Sequence, residues 1–479
     1  MESAPRRVAR NATVRVAGEV VAKFGSLAFF VTMARRLGTH GFGEFQFALA
    51  LTGALAFVAG FGTDNLIARE VARDQTRAGR LLADAVAIKV LGGVALLAVA
   101  AVIVNLGDYT AEARAAVYIV GVGSLCEVVV KSWHAVFQGH ERLELVSATL
   151  IVQRLVTAAV GIAVLLAGGG VVAAAAVYAG GALLSVLVAE GLLRRLGVRR
   201  ASLAASRWLP LMRAGVPIGL ISLLMILLLR IDVTMLSFLA DTAAVGIFGV
   251  AYRLVEATQF IAGAMAMAVL PWLARATAAA RGYRLGLKAV TAVLLPLGLV
   301  FVLFARPIVT ILYGHAFDRS VLPLQLLGMI TLLYGLNAFS SVSLIARDRP
   351  LTYAIVIVPV IVLDIVLNLV LIPRYGADGA AFNALLASAL LAALGLWQAH
   401  AVLGPADLVG AFTGPGLAGA AMVAIVLGLP APWPVEAALC ALAYPAVLAA
   451  VEWLTRRDDA RVYLGALPGS RSRAGRTTA

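Results

Sequence analysis

The sequence predicts an all-α fold, a polytopic membrane protein with about fourteen transmembrane helices. Three observations predict it. Of 479 residues, 62% are hydrophobic and only 13% are charged, whereas an average soluble domain carries about 25% charged residues. The apolar residues gather in blocks of about 20 or more, the length that crosses a ~30 Å hydrocarbon core as a helix. The basic residues, finally, are concentrated in alternate loops.

The first span begins in VRVAGEVVAKFGSLAFFVTMARRLG (Val14–Gly38). It follows a basic stretch, residues 1–13, but is too long for a signal-peptide h-region and lacks a cleavage site, so it reads as a retained helix. Arg15, Glu19 and Lys23 recur at steps of four and therefore share one face. Further spans near 44–67, 85–106, 114–137, 145–167 and 171–192 complete an N-terminal six-helix bundle, 14–192. An Arg-rich linker, 193–209, leads to six more near 210–238, 244–273, 285–312, 321–345, 351–373 and 376–400, the second bundle, 210–400. Two appended spans near 407–428 and 433–454 precede a polar, basic tail, 455–479, whose composition predicts disorder. IAREVARDQTRAGRLLADA, between spans 2 and 3, has the spacing of a helix lying on the membrane surface.

An even number of spans places both ends on one side. The loops and chain ends on that side hold 27 Lys and Arg, the opposite loops 6, and the spans themselves 6. That asymmetry is the positive-inside pattern and predicts cytosolic termini. The net charge of +14 thus records topology and implies no nucleic-acid partner. Cys126 and Cys440 both fall in spans, so no disulfide framework is implied. There is no P-loop, HExxH, CxxC or G-x-S-x-G, and the five histidines, scattered without metal-ligand spacing, read as interfacial. These residues predict neither an enzyme nor a cofactor. With no nucleotide motif, an ion gradient or the membrane potential is left as the driving force.

The two halves repeat. LGTHGFGEFQFALA (Leu37–Ala50) and LADTAAVGIFGVAY (Leu239–Tyr252) align Gly43 with Gly246, and GGGVVAAAA (Gly168–Ala176) and RYGADGAAF (Arg374–Phe382) align Gly170 with Gly376. Because six is even, the copies share an orientation, and two such bundles enclose a central cavity that can open to either side.

Ionisable groups at membrane depth are costly and usually face a cavity or a partner. The cations Lys23, Lys131, Arg154, Arg230 and Arg253 and the acids Glu19, Glu127, Asp232, Glu256 and Asp364, with Lys89 and Asn368, are such groups. Glu19–Lys23 and Glu127–Lys131 are favourable i,i+4 pairs, and Asp232 and Arg253 sit at similar depth on neighbouring spans. Any one of these residues can be explained by snorkelling or local pairing; the set predicts a hydrophilic, net-positive cavity. Pro217, Gly215 and Gly219, with Pro296, Pro359 and Gly25, interrupt spans, as hinges or as packing sites.

LLLRIDVTMLSFLADTAAVGIFGVAYRLVE, ARRLGTHGFGEFQFALAL with GFGTDNLIARE, and NLVLIPRYGADGAAFNALL together resemble the multidrug/oligosaccharidyl-lipid/polysaccharide (MOP) exporter superfamily, and within it the Wzx-like polysaccharide flippases. The resemblance implies a bacterial inner-membrane protein that flips a polyprenyl-pyrophosphate-linked oligosaccharide for surface polysaccharide synthesis. The five cations would hold the headgroup, and the five acids are candidates to take up H+ or Na+. Membrane lipids and polysaccharide polymerase machinery are the further partners expected. Three alternatives stay open: a multidrug-type cation antiporter, which wants an acidic cavity; a lipid II flippase; and a membrane glycan polymerase or ligase. The last needs a larger external loop than the roughly ten residues around Tyr313–Ser320.

Overall fold

The computed structural model describes residues 4–60, 62–198, 202–265, 279–345, 350–403 and 408–455. Within them the side chains of 4–20, 57, 216–223, 225, 226, 229, 279–282, 345, 350–354, 403, 408 and 455 lie outside the description, as does the tail from Arg456. The expectations for Arg15, Glu19 and Pro217 fall on such side chains.

Among the described residues the elements are helical. In chain order they are α1 Ala4–Gly60, α2 Thr63–Arg73, α3 Ala78–Leu106, α4 Ala111–Gly139, α5 Leu143–Leu166, α6 Val171–Arg195, α7 Trp208–Leu239 and α8 Thr242–Glu256. There follow α9 Ala279–Leu303, α10 Ala305–Tyr313, α11 Val321–Ile345, α12 Pro350–Leu403, α13 Leu408–Gly428 and α14 Trp433–Thr455.

Among the described residues, eleven helical stretches are long and apolar enough to cross a membrane. Two of them are double. α1 breaks at Gly38 (φ 68°, ψ −171°) and α12 at Gly376 (φ 55°, ψ −128°), positive-φ backbone that a Cβ would strain. Counting each as two crossings, and adding the 32-residue α7, recovers the fourteen spans. Pro296 lies inside α9 and Pro359 inside α12 without ending either helix.

The chain divides into two compact units. The first comprises 1–257, 309–323 and 357–384; the second comprises 258–308, 324–356 and 385–479. In the first, α4 packs on α6 and α1 on α4, α5 and α8. Small residues allow the close approaches: a Cβ at Gly161 would enter the Phe29 ring, and one at Gly123 would meet Tyr178. Thr52 and Ser124 hydrogen-bond at 3.0 Å between α1 and α4.

α2 is amphipathic as predicted. Leu66, Ile67 and Val71 are buried while Arg69 and Arg73 are exposed. At this basic end Asp84 clasps the linker before α7, accepting from Arg207 Nε at 2.7 Å, Ala204 N at 3.3 Å and Trp208 Nε1 at 3.3 Å. The guanidinium of Arg207 is held even more firmly protonated than usual by that hydrogen bond to Asp84.

At the opposite end the repeat-matched glycines meet. A Cβ on Gly43 would fall on the Thr242 carbonyl, and one on Gly246 on the Thr39 carbonyl. Each glycine thus admits the carbonyl four residues before the other, a reciprocal backbone contact between α1 and α8. His40 Nδ1 lies 3.2 Å from Thr242 Oγ1 beside it.

In the second unit α9 packs on α13 and α13 on α14. Tyr283 stacks on Phe339 with centroids 5.3 Å apart, and Tyr444 donates to the Ala292 carbonyl at 2.9 Å. Lys288, which is buried, forms an ion pair with the partly buried Glu452.

Candidate functional site

Six helices of the first unit surround a polar cavity. α1 contributes Lys23, α4 Glu127 and Lys131, α5 Arg154, α6 Tyr178, α7 Arg230, and α8 Arg253 and Glu256. These line three adjoining cavities of about 320, 190 and 160 Å³. The first two share Ser26, Phe30, Arg154 and Arg253; the first and third share Glu127, Lys131, Tyr178 and Arg230. All five cations singled out in the sequence therefore gather here, with two of the acids, Glu127 and Glu256. Five positive groups against two negative leave a surplus of three.

The pairing inside differs from the expectation in one respect. Asp232 and Arg253 do not form a cross-helix pair. Arg253 donates to Glu256 Oε2 at 2.8 Å and to Gln46 Oε1 at 3.2 Å, and lies 4.0 Å above the Phe30 ring. The cross-helix partner is instead Arg230, whose Nη2 reaches Glu256 Oε1 at 3.0 Å. The reason is angular: Asp232 is two residues beyond Arg230, roughly 200° further around α7, so the two face opposite sides.

Arg154 has neither hydrogen bond nor ion pair among the described residues, and Glu127 accepts from Gln153 at 3.2 Å. Lys89, fully buried, is satisfied by Asp64 at 2.5 Å and the Val128 carbonyl at 3.0 Å. His134, expected at an interface, is buried against Thr149 at 2.7 Å and lines the cavity.

Asp232 and Asp364 form a second cluster with Asn368 and Asn383, all buried. Asn368 Nδ2 donates to Asp232 at 2.8 Å and to Asp364 at 3.4 Å; Asn383 Nδ2 donates to Asp364 Oδ1 at 2.5 Å. Asp364 Oδ2, Asn368 Oδ1 and Asn383 Oδ1 are buried acceptors with no donor among the described residues. Unmet buried acceptors are costly, and oxygen-only coordination suits a proton or a hard cation.

Sequence reasoning missed Gln46, Asn383 and the Lys288–Glu452 pair. Gln46 had a signal: a Cβ on Gly249 would press on its amide, so the second glycine of VGIFG makes room for the group that holds Arg253. Asn383, near the start of span 12, carries no charge and no periodic signal.

Residues 8–277, just over half the chain, match the profile of a family described as polysaccharide biosynthesis protein. Comparison with curated proteins finds no match. Among solved structures, the lipid II flippase MurJ in an inward closed conformation is similar with a TM-score of 0.79. That match has 13% identity and covers 92% of this chain and 99% of that one. An inward-facing MATE multidrug resistance transporter of the MOP superfamily gives 0.64 at 15% identity, covering 80% and 94%. A point mutant of the Vibrio cholerae MATE transporter VcmN gives 0.59 at 14%, covering 83% and 97%. At these identities the likeness establishes the fold.

Proposed function

Because the chain belongs to the polysaccharide biosynthesis protein family and has the MOP transporter fold, we propose that it flips a polyprenyl-pyrophosphate-linked oligosaccharide across the bacterial inner membrane by alternating access. The observation that carries this reading is the cavity of five cations and two acids, in which Arg154 is met by no protein group among the described residues. Charge surplus in a water-poor space attracts anions, and guanidinium forks suit phosphate oxygens. In the same reading Lys23, Lys131, Arg154, Arg230 and Arg253 hold the headgroup, and the basic end of the first unit faces the cytosol. The Asp232–Asp364 cluster takes up H+ or Na+, and the coupling role anticipated for the acids is concentrated there. Glu127 and Glu256 belong to the cavity.

The test is a lipid extract from cells lacking the protein. Accumulated polyprenyl-pyrophosphate glycan with depleted surface polysaccharide is expected, and its sugars name the substrate. Normal lipid intermediates with new sensitivity to cationic drugs would replace this reading with the antiporter. Accumulated lipid II with arrested growth would assign the peptidoglycan precursor instead, which presents the same headgroup chemistry.

A further inference from the structure

Arg230 and Arg253 reach the cavity from different helices yet share one carboxylate. Glu256 Oε1 accepts from Arg230 Nη2 at 3.0 Å, and Oε2 accepts from Arg253 Nη1 at 2.8 Å. One oxygen per fork is also the way a phosphate bridges two guanidinium groups. The other groups named in contact with the arginines are neutral, and Glu127 lines the same cavity as Arg230. Gln46 Oε1 and the Phe30 face hold Arg253, and the Tyr252 ring lies 5.6 Å from Arg230. Arg253 Nε is buried without an acceptor, so donor capacity remains after Glu256 has taken its share. Glu256 is open to the same cavity as Lys23 and Arg154.

We propose that Glu256 is a resident counter-anion that sets the affinity threshold of the headgroup site. In the empty cavity it occupies Arg230 and Arg253; the substrate's pyrophosphate displaces it, and the freed carboxylate passes to Arg154. This rests on the headgroup reading given above.

Displacing the built-in anion costs every ligand the same, so Glu256 sets a threshold that a ligand must exceed. A phosphodiester lipid carries one negative charge, so exchanging it for the Glu256 carboxylate gains little. A pyrophosphate diester carries two and satisfies both forks at once, so its exchange is favourable. The bilayer around the protein offers monoanionic phospholipids in great excess over any polyprenyl carrier. A bare pair of arginines would be occupied by them; a pair already bridged by a carboxylate stays open to the ligand that exceeds the threshold. Rejection of the weaker ligand comes from what it must displace.

Calorimetric titration of the purified protein tests this with inorganic pyrophosphate and, as monoanion, dimethyl phosphate. The wild type is expected to prefer pyrophosphate. Glu256→Gln removes the competing charge at constant shape. Both probes should then bind about tenfold more tightly, the low end of what two charge-assisted hydrogen bonds command. Glu256→Asp, which keeps the charge, should retain the wild-type affinities and guards against misfolding of the neutral variant. Unchanged affinities in Glu256→Gln, with binding still dependent on Arg230 and Arg253, overturn the threshold and leave the headgroup site standing. Wild-type pyrophosphate binding that is absent, or that survives both Arg230→Ala and Arg253→Ala, removes the headgroup site and the threshold together.

Discussion

Arg154 differs from its four companions because no protein group among the described residues answers its charge. Replacing it therefore breaks no ion pair among the described residues and is expected to act through the ligand. Arg154→Ala is expected to weaken pyrophosphate binding by about 10- to 100-fold, the worth of one charged hydrogen bond, with normal membrane levels by immunoblot and lost surface glycan. Asp364 carries the opposite kind of prediction. Asp364→Asn keeps the shape of its cluster and removes a charge, so the protein should insert and bind pyrophosphate normally. Export should no longer respond to collapse of the Na+ or H+ gradient. Responsiveness equal to wild type would clear Asp364 of any coupling role. The charges of both residues were legible because an ionised side chain in an apolar block has few uses. Their surroundings were not. That Arg253 rests on Gln46, 207 positions away, depends on how two helices face each other, and a neutral amide leaves no mark in hydropathy.

Helices bring these groups together, and two helix contacts make predictions of their own. Lys288 stands near the start of the span that the sequence predicts over 285–312 and is not singled out there. α9 begins at Ala279, so Lys288 lies well inside the helix, 4% exposed and paired with Glu452 of α14. Breaking such a pair strands a buried charge and costs about 3–5 kcal/mol, whereas replacing both partners with apolar groups costs far less. Lys288→Met alone should lower the melting temperature in detergent, and the double variant with Glu452→Leu should recover most of the loss. The second contact is that of α1 with α8 at Gly43 and Gly246. The sequence repeat had matched these two glycines; that they touch each other was not to be read from it. Cysteines at His40 and Thr242, whose side chains lie 3.2 Å apart, should join spontaneously if this end faces an oxidising compartment. Export should stop until a reductant is added. Continued export with the bond formed would show that this contact need not open.

For the whole molecule, length and hydropathy carried most of the fold. Fourteen crossings follow from the apolar blocks, and the two helix pairs fused at Gly38 and Gly376 obey the same count once their glycines are seen to break the backbone. The charge asymmetry of 27 against 6 then predicts cytosolic ends. An alkaline phosphatase fused after Ala479 should be inactive, and one inserted near Asp318 active; the reverse pattern would invert the topology. Sequence could not give the company each segment keeps. Residues 357–384 cluster with the first unit although they lie about a hundred residues beyond Ala257. Asp364 and Asn368 are drawn there to Asp232 by hydrogen bonds that no local pattern encodes.

The contact between Gly43 and Gly246 is built from main-chain carbonyls and glycine backbone, whose own atoms do not titrate, with His40 set beside it on Thr242. A closure latched by ion pairs would loosen in brine and change with acidity, because salt screens surface charges and protons remove them. Backbone set against backbone is indifferent to both. In the topology proposed above this end faces outward, and a closure made there would need neither a fixed pH nor a fixed ionic strength.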